Sequence, residues 1–143
     1  MKKGIIKLFI LNFFLITLLG CSQKVPNDFD LNQLTRVDVQ IFDGEDNEKE
    51  NIITDEKTIT TLREMLGKIE WEFNVKAKMT RKEDVKATLF FTFDKNMPER
   101  LLEYFIWFNQ GDDSVTFIDR EKNALGTFNK EDAQILKNIL ENN

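Results

Sequence analysis

The chain has 143 residues with 20 basic and 25 acidic side chains, no histidine and one cysteine, Cys21. Those absences exclude Ser-His-Asp and Cys-His catalysis and the common zinc sites, all of which need imidazole or a free thiolate. A net charge of −5 also argues against nucleic acid as a partner.

Residues 1–20 read as an export signal. Lys2, Lys3 and Lys7 form a positive start, an apolar run follows from Leu8 to Leu19, and Gly20 precedes Cys21. The run is shorter than the ~20 apolar residues that a spanning helix needs. A cysteine directly after the cut is the acceptor for a diacylglycerol group, so the pattern marks a bacterial lipoprotein signal cleaved between Gly20 and Cys21. The expected location is therefore the outer, extracytoplasmic face of the cell membrane, with Cys21 as the lipid anchor. Cleavage removes three lysines and no acid, leaving 17 basic against 25 acidic side chains, a charge of −8. Once acylated, Cys21 offers no thiol for a disulfide, a metal or a nucleophile.

Residues 21–34 are polar, contain Pro26 and show no sustained periodicity, which predicts a tether ahead of a single domain over 35–143. Val37, Val39 and Ile41 alternate with polar neighbours, predicting a strand over 35–42. The stretch from Asp43 to Asn51 reads as an acidic turn. Asp43, Glu45, Asp46 and Glu48 do not fit a calcium-loop spacing, so solvated acids are expected there rather than a metal site. Asp55 can cap a helix whose apolar face is Ile59, Leu62, Leu66 and Ile69, with Gly67 suited to ending it. Trp71, Phe73, Val75, Ala77 and Met79 alternate, predicting a second strand over 71–79.

Four further strands are expected over 85–93, 101–108, 114–119 and 124–128, joined by short connections rich in Asp, Asn and Gly that favour a meander. Asn129 can then cap a last helix with Ala133, Leu136, Ile139 and Leu140 inward. The expected order is β-α-β-β-β-β-β-α. This is an α+β domain with one antiparallel sheet of five to six strands and two helices packed on one face.

Matching apolar faces sets Phe91 opposite Tyr104, Leu89 opposite Ile106, Phe108 opposite Val115 and Val115 opposite Phe128. That register lines up Phe90, Phe105, Ile118 and Leu125 on the other face, with Trp107 one step away. Such a row either lies beneath the 71–79 segment as a second small core or forms a partner surface for a protein or cell-wall ligand.

The layout resembles the YhfM-like family of small membrane-anchored proteins from Gram-positive bacteria. The resemblance lies in an early strand and helix (Val37 to Ile69), the aromatic strand Tyr104-Phe105-Ile106-Trp107-Phe108, and the ending from Ala124 to Asp132 before a Leu-rich helix. It implies a fold and a membrane location, with no activity, cofactor or catalytic residue attached. The expectation is thus a non-catalytic binding or interaction module without cofactor or metal. The alternative is a surface enzyme, or an enzyme inhibitor, that uses acidic residues.

Overall fold

A computed structural model describes residues 29–44 and 48–142. The protein is a single antiparallel sheet of seven strands carrying two α-helices on one face, which is the expected α+β class with more strands than the sequence suggested. A short 3-10 turn, Leu31–Gln33, leads into β1 (Leu34–Phe42) and β2 (Glu48–Ile53). Helix α1 (Glu56–Leu66) and β3 (Glu70–Phe73) follow. The remaining elements are β4 (Val85–Phe91), β5 (Arg100–Phe108), β6 (Val115–Asp119), β7 (Ala124–Phe128) and helix α2 (Lys130–Asn142).

The strand order is β2-β1-β4-β5-β6-β7-β3. The meander β4 to β7 forms the middle, β1 and β2 extend one side, and β3 closes the other. Helix α1 therefore carries the chain from one margin of the sheet to the opposite one. Its start is fixed by Asp55, whose carboxylate accepts from the Thr58 backbone N–H at 2.9 Å, and Gly67 ends it as expected. Helix α2 begins at Asn129, whose side-chain oxygen accepts from the Asp132 N–H.

The inner face packs Val37, Val39, Ala87, Leu89, Tyr104, Ile106 and Phe117 against Ile59, Leu62, Leu66, Leu136 and Leu140 of the helices. Alternate burial along β4 follows the two-residue period that the sequence shows.

Four expectations are corrected. Residues Glu48–Ile53 are a strand rather than part of an acidic turn, pairing with β1 from Phe42↔Glu48 to Val37↔Ile53. The 71–79 strand stops at Phe73, because Asn74 adopts φ 59° and turns the chain out of the sheet edge. The domain begins no later than Phe29, ahead of the expected boundary at 35. Phe29 stacks on Phe91 at 4.8 Å, and the Thr92 N–H donates to the Gln33 carbonyl at 2.9 Å.

The fourth correction is the β4–β5 register. Tyr104 lies opposite Ala87 rather than Phe91, and Leu89 opposite Leu102 rather than Ile106. A slide by an even number of residues keeps every side chain on its face, so apolar matching fixes the parity of a pair but not its offset. The β5–β6 and β6–β7 pairings, including Phe108↔Val115 and Val115↔Phe128, are as expected.

Candidate functional site

The outer aromatic row is dismantled by the new register. Phe105, Ile118 and Leu125 do lie side by side across β5, β6 and β7, but Phe90 pairs with Leu101 and Arg36, away from that row. Phe105, Trp107 and Ile118 are buried, and Ala77, Met79 and Leu125 pack against them. The segment after Asn74 therefore crosses the outer face and forms a second small core. The Trp107 Nε1–H donates to the Arg81 carbonyl at 3.1 Å, satisfying the indole inside that core. The Arg120 guanidinium lies 3.6 Å from the centre of the Phe105 ring, and Arg36 covers Phe90 at the same distance. None of the five residues is left as a bare stripe for a partner. Gly20 and Cys21 lie outside the described residues.

Two groupings of chemistry-bearing residues remain. The first is interior. Asp119 is the buried charged residue among those described, at 2% exposure. The β5–β6 register, continued one step past Phe105↔Ile118, sets it opposite Tyr104 on the helix-facing side. Burial raises the Asp119 carboxyl above its ordinary value against the lowering effect of hydrogen bonds from the Lys122 and Glu121 backbone. Burial likewise pushes the Tyr104 phenol up, and the Asp119 charge adds to it. The Tyr104 hydroxyl and the Trp71 Nε1–H are buried without a hydrogen-bond partner among the described residues, and the two rings are 5.2 Å apart. Tyr104 borders a small enclosed space among Ala87, Ile106 and Phe117, walled by apolar side chains. Asp119 instead closes the β6–β7 turn, accepting from the Lys122 N–H at 3.0 Å.

The second grouping is open to solvent, at the end of the sheet where β1 stops and β2 and β4 start. Two adjoining hollows of about 400 and 520 Å³ share Phe42, Asp43, Glu48 and Asp84. Phe108 from β5 and Lys137 and Glu141 from α2 line the larger one, while Arg81, Lys82 and Glu83 line the smaller. The rings of Phe42 and Phe108 make apolar surfaces under a rim of carboxylates and amines, with the Lys82 ammonium 3.8 Å from the Phe42 ring centre.

Asp84 is built into the framework. It pairs with both terminal nitrogens of Arg81 and accepts from the Phe108 backbone N–H at 2.7 Å, and Arg81 also donates to the Phe108 carbonyl. Its own backbone groups bond Phe42 and Ile106, so one residue fastens β1, β4 and β5 at this end. Asp43 and Glu48 are exposed carboxylates on the same rim. The sequence named both acids in an acidic turn, but the hollow draws on five separate stretches of chain. No spacing rule could bring those stretches together without the sheet order.

The sequence matches no family model and no curated protein. The structure is similar to a thioesterase-like protein from Clostridium sporogenes, with a TM-score of 0.55 and 16% identity over 80% of this chain and 100% of that one. The likeness shows a shared fold. It overturns the expectation of a non-catalytic interaction module that is no enzyme. An architecture that carries a thioesterase-like protein leaves no ground for excluding catalysis merely because imidazole and a free thiol are missing.

Proposed function

We propose that the protein is a hydrolase of acyl thioesters or esters, working at the carboxylate-rimmed hollow where Asp43 and Glu48 face the Phe42 and Phe108 rings. The observation that carries this reading is the hollow itself. It pairs an apolar floor for an acyl chain with solvent-open carboxylates, on a fold shared with a thioesterase-like protein.

With no histidine in the chain, the base must be a carboxylate and the nucleophile water. Asp84 is held by Arg81 and the Phe108 N–H; Glu83 and Glu141 each line one hollow, whereas Asp43 and Glu48 border both and are the acids assigned to proton transfer. Glu48 would take a proton from water as its oxygen attacks the acyl carbon. The carbon–sulfur or carbon–oxygen bond then breaks, and the proton passes to the departing thiolate or alkoxide. Lys137 and Lys49 on the same rim supply positive charge for the carbonyl oxygen as it gains electrons. The acidic excess of the chain as a whole disfavours polyphosphorylated carriers, so neutral or cationic acyl substrates fit it better.

The place of action we propose is the outer face of the membrane, with Cys21 acylated. The chemistry is tested with neutral and polyphosphorylated thioesters, assayed with the purified protein and with its Asp43→Asn and Glu48→Gln variants. Turnover of the neutral substrates that falls in either variant supports the assignment. Equal turnover in all three proteins would remove the hollow from it.

A further inference from the structure

We infer that the tip of the β4–β5 hairpin is a membrane-contacting wedge that sits in the headgroup region of the bilayer to which the chain is anchored. This rests on the proposed acylation of Cys21, and it adds an orientation that the anchor alone does not fix.

Of the large hydrophobic side chains exposed among the described residues, Phe93, Met97 and Leu101 belong to this one hairpin, at 45%, 60% and 51% exposure. The others, Ile52, Phe73 and Ile135, are on separate elements. Arg100 to Glu103 of β5 have no paired partner on β6, so the hairpin projects past that side of the sheet. Leu101 pairs with Phe90 on the outer face, whereas Phe93 stacks with Phe91 and Phe29 on the inner side. The projection thus carries apolar groups on both flanks with Met97 between them.

The chain enters the domain at the root of this same hairpin. Phe29 lies 5.7 Å from the Phe93 ring, and Gln33 accepts from Thr92. Seven residues lie between Cys21 and Phe29, so the eight steps from one to the other reach at most roughly 28 Å when fully extended. An anchor so short, tied in at that point, holds the tip toward the bilayer.

Charge agrees. Residues 93–101 balance Asp94 and Glu99 with Lys95 and Arg100, whereas the chain after residue 20 carries −8. The tip is a net-neutral part of an acidic body, and the long Lys95 and Arg100 stems can keep their charges among headgroups while Met97 goes deeper. Burying the exposed parts of three such side chains is worth roughly 50- to 3,000-fold in partitioning.

The test uses the acylated full chain in mixed phosphatidylethanolamine and phosphatidylglycerol vesicles, carrying a fluorophore at Met97→Cys or, as a reference, at Ile135→Cys on α2. Brominated lipids should quench the Met97→Cys label and leave the Ile135→Cys label bright. Equal quenching, or none at Met97→Cys while the protein stays on the vesicles, overturns the wedge and leaves the anchor standing. Cys21→Ala separates the two. If that variant is retained on cell membranes as fully as the native chain, the anchor reading fails. Without the anchor, its purified form should still bind the vesicles weakly, and Phe93→Ser with Leu101→Ser should reduce that residual binding at least about tenfold.

Discussion

Gly126 and Trp71 face each other across the β3–β7 pair, and the absent side chain of one makes the place of the other. A Cβ at Gly126 would stand 2.7 Å from Ile69 Cγ2 and 3.0 Å from Trp71 Cζ3. The indole occupies that space and reaches the Tyr104 and Phe117 rings. Gly126→Ala should therefore destabilise the fold by about 1–3 kcal/mol through overpacking, measured as a lower urea midpoint with an unchanged slope. An unchanged midpoint would mean that β3 moves aside at little cost.

The second core makes a contrasting pair of predictions. Trp107→Ala removes a buried indole and its bond to the Arg81 carbonyl, at an expected cost of about 3–5 kcal/mol. Leu101→Ala, on the exposed hairpin, should stay within about 0.5 kcal/mol of the native protein in the absence of lipid. Equal losses by urea denaturation would show that the segment from Asn74 to Thr80 does not cover the outer face in solution.

Asp119 gives stability a pH dependence whose sign follows from burial. Its folded-state carboxyl binds a proton more tightly than the ordinary value of 3.8, so the folded state takes up protons in the window just above that value. The contribution of this group to stability is highest below 3.8 and declines as pH rises through the raised value. Asp119→Asn keeps an oxygen for the Lys122 N–H and removes the titration. The variant should gain on the native protein as pH rises from about 3.8 to neutrality, followed by urea midpoints at each pH. An offset independent of pH would contradict the role given to burial.

Asp55 shows the opposite sign. Hydrogen bonds from the Thr58 backbone and hydroxyl hold its carboxyl below the usual range, so its cap stabilises α1 at neutral pH and is lost on acidification through the lowered value. Asp55→Ala should lower the thermal midpoint at pH 7 and leave it little changed near pH 2, read by circular dichroism.

Much of this fold is legible in the sequence because its signals are local. The Asp55 and Asn129 caps, the alternation in β1 and β4, and the short connections around β6 each act within a few residues. The β4–β5 offset is not local: the connection over 92–99 is long enough to allow several even slides, each of which keeps the apolar faces matched. Strand β2 is hidden because Glu48, Lys49 and Glu50 carry an edge strand's charges, which protect an unpaired edge and look like a loop. Trp71 and Met79 share an alternating pattern but serve opposite faces, since Asn74 redirects the chain between them. The hollow at Asp43 and Glu48 was legible only as an acidic turn, because its apolar floor comes from Phe108 on a strand far along the chain.

The hydrolase reading stands most directly on one ratio, kcat/KM for a neutral acyl thioester in the native protein against Glu48→Gln. The account predicts turnover above buffer by the native protein and a loss of roughly 10²- to 10⁴-fold in the variant, at an unchanged urea midpoint. No turnover of any neutral acyl substrate, or a variant as fast as the native protein, would contradict it.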